Sequence, residues 1–122
     1  MTNQPEHDMQ CALFQWRDYQ VSRYPALRWM FAIPNGTRTS IRVATKMKAE
    51  GVLKGVADIY IPKPCGGYHG MWIEMKTPKG TLSQEQKAFR TAMLEAGYYA
   101  VTCRSVQDAI FEIVQYLEME PE

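Results

Sequence analysis

The chain has 122 residues, 46% of them apolar and 22% charged, the size and make-up of one globular domain; intrinsic disorder is excluded. No apolar run reaches the roughly 18 to 20 residues that a bilayer-spanning helix requires. The opening "MTNQPEHDMQ" lacks the basic and apolar regions of a secretory signal, so a cytoplasmic setting is expected.

Net charge is only +1, yet residues 17–54 hold eight basic side chains (Arg17, Arg23, Arg28, Arg38, Arg42, Lys46, Lys48, Lys54) against Asp18 and Glu50, a local +6. Glu112, Glu118, Glu120 and Glu122 make the C-terminal end acidic. A polyanion held against bound cations would suit this asymmetry, although a solvated helix face reads the same way. Cys11, Cys65 and Cys103 are odd in number and show no C-x-x-C spacing, which predicts free, mostly buried thiols. Cys65 and His69, alone in one loop, are too few ligands for zinc.

In chain order, Pro5 opens a helix expected over residues 5–21, where Met9, Leu13 and Trp16 recur at helical spacing. "RWMFAI", residues 28–33, reads as a short strand stopped by Pro34-Asn35-Gly36. Ile41, Ala44 and Met47 predict a short helix over 40–50, with Gly51 at its C-terminal cap. Strands are expected at 56–61, stopped by Pro62 and Pro64, and at 71–76, joined by the loose connection "KPCGGYHG".

Ser83 and Gln86 form an S-x-x-Q capping box for a helix to about Ala96, ended by Gly97. "YYAVTC", residues 98–103, is a fourth strand. Ser105 and Asp108 resemble a second capping box, opening a last helix that carries Ile110, Val114 and Leu117. The order is helix, strand, helix, strand, strand, helix, strand, helix, with no repeat or linker. It predicts a single α/β domain whose sheet is covered by helices. Trp16, Trp29 and Trp72 sit in apolar patterns and read as core residues, and His7 and His69 as surface residues.

Two acids and a lysine stand out against these apolar strands. Side chains alternate along a strand, so Glu74 and Lys76 share a face, and an antiparallel pairing of 56–61 with 71–76 can set Asp58 near Glu74. Two carboxylates that close resist ionisation unless a cation lies between them. Magnesium takes such hard oxygen ligands, and a backbone carbonyl of the 74–76 stretch, that of Met75, could add another. With a metal present, a phosphodiester could be polarised and attacked by water, Lys76 orienting the water or offsetting developing charge. The alternative is an exposed strand face with Asp58 starting a turn; the apolar flanks Ile59, Ile61, Trp72 and Ile73 speak for inner strands.

These residues resemble the VRR-NUC (virus-type replication-repair nuclease) branch of the PD-(D/E)xK nuclease superfamily. The resemblance is carried by "IPNGTR" (33–38), "KAEGVLKGVADIYIP" (48–62), "WIEMK" (72–76), "LSQEQKAF" (82–89), "EAGYYAV" (95–101) and "IFEIVQYL" (110–117), in that order over nearly the whole chain. It implies a restriction-endonuclease-like core, a mixed sheet flanked by helices. Asp58 and Glu74 would be the metal-binding acids and Lys76 the catalytic lysine, with Glu6 supporting the metal through water. Gln86 matches a glutamine that often follows the motif, while fitting its capping box equally well. Ala57 stands where the family name has Pro, a position with no catalytic group.

The activity so implied is a magnesium-dependent DNA endonuclease, manganese substituting. Stand-alone members of phages and bacteria are homodimers that cut branched DNA such as four-way (Holliday) junctions, in the setting of DNA repair. Asn35, Gly36, Arg38, Arg42 and Lys46 could line the DNA backbone. Two other readings stand beside it: a non-catalytic DNA-binding module with a nuclease fold, and a sequence-reading restriction-type endonuclease.

Overall fold

Alternation along the strand of residues Met71–Met75 organises the molecule. Met71, Ile73 and Met75 are fully buried on one face, while Trp72 and Glu74 point to the other. In this computed structural model, which describes residues 5–34 and 40–119, that strand is β3 of a four-stranded mixed sheet ordered β1-β2-β3-β4. The others are β1 (Phe31–Ala32), β2 (Ile59–Ile61) and β4 (Tyr99–Cys103). β1 pairs antiparallel with β2 and β2 antiparallel with β3, whereas β4 runs parallel to β3. A parallel neighbour requires a crossover, supplied by helix α3 (Gln84–Glu95).

Helices α1 (Pro5–Gln20) and α4 (Val106–Leu117) cover one face, where Leu13, Ala109, Ile113 and Tyr116 close over Ile59, Ile61, Ile73 and Met75. Helix α3 covers the other face, with the Phe89 ring edge-on to Trp72 and Arg90 bonded to Thr102. The expected α/β domain, its mixed sheet flanked by helices, is therefore present. No helix of the described residues is long and apolar enough to cross a membrane.

The caps sit where the sequence placed them. Ser83 and Gln86 make the reciprocal capping box of α3, Ser105 accepts from the Asp108 N–H, and Ser40 caps α2 (Ile41–Ala49). Two expectations are corrected. The strand over 28–33 shrinks to Phe31–Ala32, because Pro25 starts a 3-10 helix, Pro25–Trp29, that buries Leu27. Trp29 is 64% exposed rather than core, with the Arg28 guanidinium over its ring. Trp16 and Trp72 are half-buried. Of the cysteines, Cys65 and Cys103 are buried but Cys11 is exposed. Helix α2 forms without burying any residue, and Ile41 is exposed. His7 and His69 are exposed, as expected.

One glycine ties the chain before β2 to the start of α3. Gly55 has φ +96°, and a Cβ there would fall 2.6 Å from the Glu85 backbone carbon. Gly51 has the same φ with nothing within 4 Å. Gly51→Ala should therefore cost only the backbone strain, about 1–2 kcal/mol. Gly55→Ala should add the roughly 1–3 kcal/mol of overpacking, since backbone cannot step aside. Urea unfolding of the two variants checks the difference; equal losses would contradict the close approach.

Candidate active site

Register brings the two acids together. Ile59 lies opposite Ile73, so Asp58, one step before β2, faces Glu74 across the hairpin. Asp58 lies just outside β2, yet its backbone is held on both sides: its N–H donates to the Ile73 carbonyl at 3.1 Å, and its carbonyl accepts from the Ile33 N–H at 2.7 Å. Its carboxylate Oδ2 accepts the Met75 N–H at 2.8 Å. In an extended strand the N–H and C=O of one residue point to the same edge, so the Met75 carbonyl oxygen also turns toward Asp58. The Met75 side chain meanwhile lies in the core.

Glu74 is only 7% exposed. Burial, then its hydrogen bond to Asp58 and the Asp58 charge, push its carboxyl up to about 9, against a smaller pull from the Lys76 charge. A carboxyl raised this far favours its protonated form near neutral pH when no cation is present, with its hydrogen bond directed to Asp58. Glu6, in the first turn of α1, is near enough that its charge raises Glu74 further. Among the described residues no three His, Cys, Asp or Glu side chains gather into a metal-binding group, so Glu6 stands outside the immediate pair.

Gln86 does both things the sequence left open. Its Oε1 accepts the Ser83 N–H at 2.8 Å in the capping box, and its Nε2 donates to Glu74 Oε2 at 3.2 Å. Lys76 extends β3 by one residue, its N–H donating to the Cys103 carbonyl at 2.9 Å, and alternation sets its side chain on the Glu74 face. Arg42 and Lys46 lie one turn apart on α2, both exposed. Asn35, Gly36 and Arg38 lie outside the described residues. Arg104, which no sequence spacing singles out, grips the turn after Lys76 through the carbonyls of Thr77 and Gly80.

The donor set here is all oxygen: two carboxylates and the Met75 carbonyl. That set fits a hard divalent cation such as Mg2+ or Mn2+, which takes one or two carboxylates and fills its remaining positions with water and phosphate. A cation would also offset the burial and the Asp58 charge that together raise the Glu74 carboxyl.

A hairpin-borne acid pair with a lysine on the same face, in a mixed sheet flanked by helices, marks a nuclease-type domain. The family model for the VRR-NUC domain matches residues 4–107, and the chain belongs to that family. It is also similar to a solved structure described as a VRR_NUC domain protein, with 25% sequence identity and a TM-score of 0.85 over 99% of this chain and 94% of that one. The comparison with curated proteins gives no match.

Linkage makes the acid pair visible in stability. Folding raises the Glu74 carboxyl from its ordinary 4.5 to about 9, so the native state binds the extra proton between those values. The contribution to stability is full below the lower value and is lost as pH rises toward the upper one. Glu74→Gln keeps the shape and removes the titration. Without divalent ions, its melting temperature should gain on the parent as pH rises from about 5 to about 9. Parallel melting curves across that range would contradict the shared proton.

Proposed function

We propose that the chain is a metal-dependent endodeoxyribonuclease that hydrolyses phosphodiester bonds, with Asp58, Glu74 and the Met75 carbonyl holding Mg2+ or Mn2+. The observation that carries this reading is the buried Glu74 carboxyl paired with Asp58, with Lys76 on the same face. When bound, the metal supplies Lewis acidity toward a phosphate oxygen and lowers the pKa of water.

The residues of the chain do the rest. Asp58 is kept in place by the Met75 N–H, and Glu74 by the Gln86 amide. Lys76 presents a cation where negative charge grows on the phosphate, or orients the attacking water. Glu6 adds negative charge behind the pair and can reach a metal through water. Of the three readings, a non-catalytic module would have no need to keep two acids and a lysine together, and they are together here. A sequence-reading restriction-type enzyme would need elements that enter a groove. The described elements are instead spent on the sheet and its covering helices, with α2 as the exception.

DNA is the substrate this reading requires, and branched DNA, such as a four-way junction, the preferred form. Supporting it are the +6 of residues 17–54 and the way α2 leaves Arg42, Lys46 and Lys48 in solvent. Asn35, Gly36 and Arg38, outside the described residues, are proposed as further DNA contacts from the sequence alone. Cutting two strands symmetrically needs two active sites, which a two-fold homodimer supplies.

Matched linear, flap and four-way junction DNAs, incubated with Mg2+, Mn2+ or a chelator, test the reading. Cleavage should require the cation and be fastest on the junction. Asp58→Ala, Glu74→Ala and Lys76→Ala should each slow it by about a hundredfold or more in folded protein. Cleavage that persists in chelator, or in purified Lys76→Ala at the parent rate, would refute it. Arg42→Ala and Lys46→Ala should weaken binding to all sequences alike, each lowering the salt slope by about one. Binding that ignores salt would remove the basic surface from the account.

A further inference from the structure

We propose that Arg104 is a positioning residue for Lys76, acting through the turn that follows β3. The parallel ladder ends with Met75 beside Cys103 and with the Lys76 N–H on the Cys103 carbonyl. Arg104 is the next residue, and alternation puts its side chain on the face of Thr102, away from the buried Cys103.

From there one nitrogen, Nη1, donates to two carbonyls: Thr77 at 2.9 Å and Gly80 at 2.6 Å. These are the two ends of a tight turn, itself closed by the Gly80 N–H on the Thr77 carbonyl at 3.1 Å. The turn runs beside the lysine stem. A Cβ placed on Gly80 would meet Lys76 Cδ at 3.5 Å and Thr77 Oγ1 at 3.0 Å, which leaves about a methyl group's width beside the Lys76 stem.

Lysine ends in a point charge on a flexible four-carbon stem, so an ammonium that must meet one phosphate needs a wall to hold that stem. The Thr77–Gly80 turn is the wall, and Arg104 fastens both its ends. A guanidinium suits the task because it stays charged and offers several donors in a fixed plane. No local pattern marks this link, since Arg104 and Thr77 come together only after α3 carries the chain across to β4.

The inference rests on Lys76 being the catalytic lysine, and the test separates the two. Single-turnover cleavage of a four-way junction with Mg2+ is measured for Arg104→Ala, Arg104→Lys and Gly80→Ala. Lys76→Ala is measured alone and combined with Arg104→Ala. DNA affinity without divalent ions and melting temperature are recorded for each.

Arg104→Ala should slow cleavage by about 10- to 100-fold, with affinity within about threefold of the parent, and Arg104→Lys should restore most of the rate. Gly80→Ala keeps the guanidinium but sets a Cβ 3.0 Å from Thr77 Oγ1, so the turn must shift; it should slow cleavage with the same sparing of affinity, so the test survives if Arg104→Ala does not fold. In the Lys76→Ala background, removing Arg104 should change the residual rate by less than about threefold.

Equal slowing in both backgrounds would overturn the proposal, because Arg104 would then act without Lys76. A loss of affinity matching the loss of rate would make Arg104 a phosphate contact and overturn it too. A lowered melting temperature at the parent rate would leave only a structural clamp, again against it. If Lys76→Ala itself cleaves at the parent rate, the assignment of Lys76 fails before that of Arg104.

Discussion

Burial of Glu74 beside the Asp58 carboxylate disfavours a second negative charge there, and much of the site is arranged around that constraint. Glu74 answers it with a proton shared with Asp58, and the neighbours hold that arrangement in place: the Met75 N–H on Asp58 and the Gln86 amide on Glu74. The hairpin register is what enforces the contact. Sliding β3 by one residue would turn Glu74 into the core beneath α1 and α4 and bring Ile73 out beside Asp58. Burial of Ile59, Ile61, Met71, Ile73 and Met75 therefore fixes the site as well as the fold.

The sheet then delivers three pieces of chain to one place. The segment before Asp58 is packed by Gly55 against the start of α3, the same turn that presents Gln86. The end of β3 carries Glu74 and Lys76, and β4, parallel to it, ends alongside with Arg104. Two strands that run parallel end at the same edge of the sheet, so the turn after one and the first residue beyond the other are neighbours. That end of the sheet carries Asp58, Glu74 and Lys76, and the edge strand β1 joins it through the Ile33 N–H on the Asp58 carbonyl.

Much of this was legible in the residues. Period-two alternation around Glu74, the capping box at Ser83, the Ser105 cap and the stop at Pro62 each express local physics that tertiary contacts left unchanged. The facing of Asp58 and Glu74 followed from one assumption, an antiparallel hairpin. What failed depended on partners that a linear reading does not contain. "RWMFAI" is apolar enough for a strand, but Pro25 and the burial of Leu27 wind its beginning into a 3-10 helix, leaving Trp29 in solvent. The Ile41, Ala44, Met47 stripe has helical spacing, yet no neighbour buries it. The double duty of Gln86 and the reach of Arg104 to Thr77 are long-range geometry and carry no local signature.

If the Glu74 proton occupies the place of a cation, metal binding must expel it. Calorimetric titration of Mg2+ into the metal-free protein near neutral pH, in two buffers of different ionisation enthalpy, reads proton release directly. Saturable binding with close to one proton released per chain, abolished in Glu74→Gln, is the expected result. Binding that releases no proton, or that is unchanged in Glu74→Gln, would contradict it.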